Sequence, residues 1–461
     1  MKKIKSINPA TEEVIGEFKP GRKKEILSAL RSLRADKWGP SKDRNQILKK
    51  CSEVIRKNKD LLARYLTFEQ GKPLNEATLE VELCADTIDY YIDESKKLKP
   101  QRIECSFEDT MPYIYYEPIG TVGVITPWNF PLLTPMWNII PALITGNCLI
   151  WKPSELTPFI AQEITTLFYQ AGLPPYAFQT ILGDKETGKL MIDKVDKVFF
   201  TGSIKAGEYI QKHAKESHLE LGGKDPFIVF FDCNQKQIVS GAIWGAFNNA
   251  GQVCTSAERF YVHKDIYENF LDGIIKAAKE LVVGDGLKEG TQIGPIISQG
   301  QMERIESQLK DAVKKGAKIV YGGKRLLDKG FFFSPTIVVD VNCDMDLMKD
   351  ETFGPVIAIQ TFTSEEEAIE LANSGIYGLG ASVWTSDMSR AKKIASSLKA
   401  GMVWINEVDL PLRGGDHWTA RRMSGTNFPA GKIFSFMRKK VVITHDSPQN
   451  RDWWYAKDCR W

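Results

Sequence analysis

A chain of 461 residues exceeds one ordinary compact unit, so two or three domains are expected. Hydrophobic residues at 43% and charged residues at 26% exclude the disordered and fibrous classes. The 61 basic and 58 acidic residues nearly cancel, and the runs Arg22-Lys23-Lys24 and Arg438-Lys439-Lys440 are short, which argues against a nucleic-acid or membrane-surface partner.

The basic start Met1-Lys2-Lys3-Ile4-Lys5 has no apolar core of a secretory signal behind it, and a cytoplasmic protein is expected. Residues 24–66 and 75–97 carry apolar residues three and four apart, among them Leu61, Leu62, Tyr65 and Leu66, and predict helices that cover a sheet. Residues 109–119 alternate Tyr113 and Tyr115 in a β-ribbon pattern, repeated at 437–444. The stretch 131–151 comes nearest to a membrane span, but Asn138, Asn147 and its prolines make it a helix followed by a buried strand.

From about residue 120, short apolar strands alternate with helices. Val122–Thr126, Cys148–Trp151, Gln179–Leu182 and Lys197–Phe200 are the strands, with helices at Leu132–Ile144, Thr157–Ala171 and Lys185–Met191. This pattern predicts a parallel sheet covered on both faces, a doubly wound α/β domain of the kind that holds a dinucleotide. A second α/β series begins near 226. Its strands are expected at Phe227–Phe231, Phe260–His263, Ile319–Tyr321, Ile337–Asp340, Ile357–Phe362 and Met402–Asn406. Helices are expected at 235–248, 265–282, 299–315, 364–373 and 388–398. Two such units imply a cleft between them where a substrate binds. The tail Arg451 to Trp461 carries Trp453, Trp454, Tyr455 and Trp461, and is expected to dock against protein.

Eight scattered cysteines form no Cys-x-x-Cys pair and read as reduced. His213 and His218 are too far apart in helical phase to share a metal, so no metal site is expected.

Five stretches carry the chemistry: Thr126-Pro127-Trp128-Asn129-Phe130-Pro131, Trp151-Lys152-Pro153-Ser154-Glu155, Phe200-Thr201-Gly202-Ser203 with Gly207, Leu219-Glu220-Leu221-Gly222-Gly223-Lys224, and Asn249-Ala250-Gly251-Gln252-Val253-Cys254. In this order, over essentially the whole chain, they resemble the NAD(P)-dependent, non-acylating members of the aldehyde dehydrogenase superfamily.

Releasing hydride from an aldehyde requires a tetrahedral carbon, which a thiolate supplies by addition. Cys254 is the candidate, just after Gly251, where the backbone can approach a ligand closely. A buried structural thiol is the alternative for this cysteine alone, and stays the reading of the other seven. The resemblance implies that the side chain of Asn129 and the backbone N–H of Cys254 hold the developing oxyanion, and that Glu220 activates the water that hydrolyses the thioester, with assistance to deprotonation of Cys254 as a second role open to it. Relatives that transfer the acyl group to coenzyme A tend to lack this glutamate, so a free acid is the expected product.

The segment Gly202 to Gly207 follows a strand and opens a helix, whose N-terminal N–H groups favour a pyrophosphate. Its Gly-x-x-x-x-Gly spacing departs from the common Rossmann fingerprint, and as a lone pattern it also reads as a helix cap. The resemblance places Ser203 on phosphate and Lys152 and Glu155 on the adenosine ribose. It adds Thr126, Pro127, Trp128, Ser154, Leu221 and Gly222 to the cofactor site, and sets Glu351 and Phe353 at the nicotinamide end. A carboxylate at Glu155 repels a 2′-phosphate, which favours NAD, with NADP possible because Lys152 offsets that charge.

The fold the resemblance implies is α/β: a Rossmann-like NAD-binding domain from 1–108 and 120–221, a catalytic domain from 222–436, and a small β oligomerisation segment from 109–119 and 437–461. A homodimer or homotetramer follows from the ribbon.

Substrate choice is where the chain departs from the family. Met136-Trp137-Asn138 stands where relatives specific for succinate semialdehyde tend to carry an arginine, and favours an apolar or aromatic wall. The family's Pro-Phe-Gly-Gly is replaced by Pro411-Leu412-Arg413-Gly414-Gly415, with a longer run to Ser424-Gly425. A semialdehyde dehydrogenase that holds an acidic tail with Arg413, His417, Arg421 and Arg422 is the alternative function. A cysteine hydrolase without a redox step and a catalytically silent protein of the same fold are the other classes. The first needs a histidine partner for the thiol, and intact Cys254, Glu220 and Asn129 count against the second.

Overall fold

The computed structural model describes residues 3–105, 110–410, 413–426 and 432–445. The aromatic tail from Arg451 to Trp461 lies outside the described residues.

Four helices, Lys23–Ser32, Arg44–Lys57, Lys59–Gln70 and Leu74–Ser95, build the first layer. The periodic stretch 24–66 is therefore broken, because Asn58 and the turn at 39–43 interrupt the helical phase. Gly71, at φ 99°, ends the third of these four helices in the left-handed conformation that favours glycine.

The first sheet has five parallel strands in the order Phe178–Thr180, Cys148–Lys152, Thr121–Ile125, Lys197–Thr201, Ser217–Glu220. The chain steps outward in one direction from Thr121–Ile125, then returns to its other side. This reversal creates a crevice outside the carboxyl ends of the strands. Strand Ser217–Glu220 is an addition to the expected set, since its single apolar residue beside histidine and glutamate gives no strand pattern.

The second sheet has seven strands in the order Lys318–Tyr321, Thr336–Val339, Val356–Phe362, Ala257–His263, Asp225–Val229, Ser382–Trp384, Trp404–Ile405. All neighbours are parallel except the first pair. Central strands such as Asp225–Val229 and Ala257–His263 are buried at every position, as sheets covered on both faces require.

The two ribbon segments pair with each other: Met437–Thr444 runs antiparallel to Met111–Pro118 from Met437 opposite Pro118 to Thr444 opposite Met111. The two-residue strand Gln101–Arg102 joins them, so the ribbon begins earlier than residue 109. Ahead of the ribbon's second strand, Ile433 and Phe436 join the first core, the one packed between the first sheet and its helices, where Phe436 stacks on Phe199 at 3.8 Å between ring centres. The chain thus returns to the first unit before it enters the ribbon.

Candidate active site

The motif residues gather where the carboxyl ends of the first sheet face the amino ends of the second. Thr126 to Asn129 follow strand Thr121–Ile125, Gly202 and Ser203 follow Lys197–Thr201, and Glu220 closes Ser217–Glu220. From the other side come Cys254, just before Ala257–His263, and Glu351 with Phe353, just before Val356–Phe362. All of these except Thr126 line one cavity of about 260 Å³.

Close backbone approach makes this junction possible. Gly251 has φ +71°, and a Cβ there would stand 2.2 Å from the carbonyl oxygen of Gly354. Asn249 and Ala250 precede it at φ 50° and 57°, a rare left-handed run for residues with side chains. A Cβ on Gly222 would meet Glu351 Oε1 at 2.6 Å, and one on Gly223 the carbonyl of Cys254 at 2.3 Å. These glycines let the two units close on each other.

Cys254 is half-buried at the cavity wall. Burial holds its thiol well above the usual thiol range, and Asp409, Glu351, Asp225 and Glu220 raise it further. Its backbone N–H makes no hydrogen bond among the described residues. Asn129 is buried and gives one amide hydrogen to the carbonyl of Gln252 at 2.9 Å, which leaves the other for a ligand. The main-chain oxygen of Asn129 accepts from Lys72 Nζ at 2.9 Å and Asn249 Nδ2 at 3.0 Å. Lys72 in turn forms a buried 2.6 Å ion pair with Glu80, whose other oxygen accepts from the Leu132 and Leu133 N–H groups. The Asn129 loop is thus fixed from behind.

Glu220 is buried with both oxygens engaged. Thr201 Oγ1 donates to Oε2 at 3.0 Å, and the buried ammonium of Lys432 donates to Oε1 at 2.6 Å. Among the described residues the carboxylate has no hydrogen bond to the Cys254 thiol.

The cofactor candidates divide. Ser203 caps helix Ile204–His213 and accepts from the Ala206 N–H. Gly207 packs on Leu221, where a Cβ would meet Leu221 Cδ2 at 2.6 Å. Leu221 and Gly222 are tied to the Ser424-Gly425 motif, through Leu221 N–H to Ser424 O at 2.8 Å and Ser424 Oγ to Gly222 O at 2.8 Å. Lys152 is buried, donates to the Pro153 and Gly183 carbonyls at 2.7 and 2.8 Å, and lies 3.6 Å from the exposed carboxylate of Glu155. Thr126 Oγ1 accepts from the indole of Trp151 at 2.9 Å, and Ser154 Oγ accepts from the Leu156 N–H. Pro127 and Trp128 line the cavity, the indole edge-on to Phe353 at 5.4 Å.

Burial pushes the Glu351 carboxyl up to about 8, against the Gly223 N–H that it accepts at 3.1 Å. Its loop is held by Gln301, which donates to the carbonyls of Thr352 and Phe353, and by Glu258, which accepts both their N–H groups. Glu258 is itself paired with the buried Lys224 at 2.5 Å.

Of the expected substrate wall, only Trp137 reaches the cavity, where it meets Trp418 at 5.3 Å. Met136 lies in the first core and Asn138 is buried on its own helix. The basic loop points elsewhere. His417, Arg421 and Arg422 are exposed and do not line the cavity, and Arg422 donates to the carbonyls of Asn373 and Gly375. The side chain of Arg413 lies outside the described residues.

Three contributors escaped the sequence reading. Asp409 lines the cavity, accepts a short hydrogen bond from Thr255, and has its carboxyl pushed up to about 6 by burial. Trp418 and Lys432 come from a segment that carries no periodic signal. Asp409, three residues beyond the expected strand end at Asn406, was the one with a positional hint.

The model of the aldehyde dehydrogenase family matches residues 1–438. A betaine aldehyde dehydrogenase of Bacillus subtilis is 36% identical, over 97% of this chain and 95% of its own length. A peroxisomal aminoaldehyde dehydrogenase of Pisum sativum is 35% identical, over 98% and 94%. The crystal structure of a betaine aldehyde dehydrogenase point mutant from Staphylococcus aureus, in complex with NAD+, superimposes with a TM-score of 0.94 at 33% identity, covering 98% of this chain and 96% of that one. The chain belongs to the aldehyde dehydrogenase family, whose members oxidise aldehydes.

Proposed function

We propose that this protein uses NAD to oxidise a small aldehyde with a cationic amino group to its carboxylic acid, through a thioester on Cys254. The observation that carries this reading is the meeting of Cys254, Asn129 and Glu220 at one cavity walled by Trp128, Trp137 and Trp418 with the half-buried Asp409. Aromatic faces and a carboxylate attract an ammonium group, whereas an acidic aldehyde would be repelled. Relatives named for betaine aldehyde and aminoaldehydes point the same way, and the described basic residues of the 413–422 loop, His417, Arg421 and Arg422, do not line the cavity. The neutral-aldehyde and semialdehyde readings are therefore set below the cationic one.

In the reaction the Cys254 thiol gives up its proton to solvent, and the sulfur then adds to the carbonyl carbon as the C=O π pair moves onto oxygen. The oxyanion sits between the free amide hydrogen of Asn129 and the Cys254 N–H, which are oriented before charge develops. Bound NAD supplies the hydride acceptor. The residues that fit it are the helix N-terminus at Ser203 with Gly202, the Lys152–Glu155 pair at the ribose, Trp128 and Leu221 with Gly222 along its path, and Glu351 with Phe353 at the nicotinamide end. Glu155 is exposed, and its charge disfavours a 2′-phosphate, which supports NAD over NADP. Glu220 then takes the proton of the attacking water. The first sheet with its helices is the cofactor-binding domain, the second sheet the catalytic domain, and the ribbon the oligomerisation segment.

The test is NADH formation with betaine aldehyde, its neutral isostere 3,3-dimethylbutanal and succinate semialdehyde, each with NAD and NADP. Highest kcat/KM for betaine aldehyde with NAD supports the reading; preference for succinate semialdehyde contradicts it.

A further inference from the structure

Lys432 is fully buried, and its ammonium stands 2.6 Å from Glu220 Oε1 and 5.8 Å from the ring centre of Trp137. Its backbone is anchored as firmly as its charge. The Lys432 N–H donates to Asp416 Oδ1 at 2.5 Å, and Asp416 Oδ2 accepts from the hydroxyl of Tyr90 at 2.7 Å, on helix Leu74–Ser95. Three chain segments distant in sequence thus converge to hold one cation against one carboxylate. The surroundings make this pairing consequential. Asp409 and Glu351 line the same cavity as Glu220, so Glu220 without a cation would be a buried carboxylate beside other acids.

We infer that Lys432 is a positioning residue for the hydrolytic half of the reaction: it fixes Glu220, as a carboxylate, where it receives the proton of the attacking water. The inference rests on the reading of Glu220 as the base. Each carboxylate oxygen has two lone-pair sites, and Lys432 and Thr201 take one on each. One site per oxygen remains for water. Water oxygen bonds to the thioester carbon while its proton passes to Glu220. The carbon–sulfur bond then breaks, and the sulfur leaves as thiolate. Glu220 returns its proton to that sulfur, the acid sheds its own proton to solvent, and the product departs as a carboxylate. Lys432 neither gives nor takes a proton in these steps. Because the carboxylate is bound to Lys432 and Thr201 rather than to the thiol, the earlier steps of addition and hydride loss do not depend on this lysine.

This division predicts a split in rates that a merely structural lysine would not produce. In rapid mixing with NAD and betaine aldehyde, K432M forms its first NADH per site at the wild-type rate, within about three-fold. Its steady-state turnover is about 10- to 100-fold slower, less than the roughly 10²- to 10⁴-fold that a general base supplies, because Glu220 itself remains. The acyl group accumulates on Cys254 and is visible by intact-protein mass spectrometry. K432R, which keeps the charge and guards against misfolding of the methionine variant, recovers part of the turnover. In an E220Q background K432M adds less than about three-fold, because the two residues act as one unit. First-turnover and steady-state rates falling together, unchanged turnover in both variants, or additive losses with E220Q would each overturn the proposal. A wild-type protein that forms no NADH from any aldehyde would sink the reading of the whole site, which is a different result.

Discussion

At Cys254 the chemistry asks for a thiolate where burial and four acids favour the thiol. Asp409 is the largest of the charged influences, so Asp409→Asn should raise the rate at which iodoacetamide alkylates Cys254 at pH 7.5. An unchanged or slower rate would show that this carboxylate does not bear on the sulfur. The same residue gives a pH signature. Its carboxyl, pushed up to about 6, is ionised above that pH and neutral below it. The KM for a cationic aldehyde should therefore rise as pH falls through 6, while that of its neutral isostere stays level, and Asp409→Asn should abolish the difference. Asn129→Ala should lower kcat by about 100-fold or more with little change in NAD affinity, because its amide serves the oxyanion alone. Cys254, Glu220 and Asn129 were legible because each sits in a short motif beside glycine, proline or aromatic residues. Lys432 was not, since nothing in the local sequence separates it from the many solvated lysines. Only the return of the chain to the first core makes it a partner of Glu220.

Among the elements, the strand ends decide which side chains meet. The alternation of strands and helices was legible because short apolar strands separated by amphipathic helices leave few alternatives. The ends were less so: Met402–Asn406 shrinks to Trp404–Ile405, and Ser217–Glu220 has too little apolar pattern to be noticed. The glycine loops lie between these extremes. Gly251 could be flagged from its place before the cysteine, but that its Cβ would strike Gly354 is a long-range fact. Gly251→Ala should destabilise the fold by about 1–3 kcal/mol through the left-handed backbone and more through the contact. It should also cut kcat sharply, as measured by thermal unfolding alongside turnover. A variant with wild-type melting and wild-type activity would show that the close approach is dispensable.

For the whole molecule, the two sheets share one cavity, and a ribbon stands apart from both. Its paired strands leave Val441 and Ile443 exposed on one face, across from Ile114 and Pro112, an apolar strip that a second copy of the chain is proposed to cover. Ile443→Glu should shift the protein toward a smaller species in analytical ultracentrifugation without altering its circular dichroism; an unchanged sedimentation coefficient would remove the ribbon from the interface. That the two segments pair was not legible from either one alone, because more than 300 residues separate them, and register between such distant strands is set by the fold between.

The account depends most on the covalent link between substrate and Cys254. Glu220→Gln, mixed with NAD and betaine aldehyde and quenched in acid within one turnover, should carry the acyl mass on the peptide that contains Cys254, with one NADH per site. NADH formation with that cysteine unmodified, or the acyl group on another residue, would contradict it.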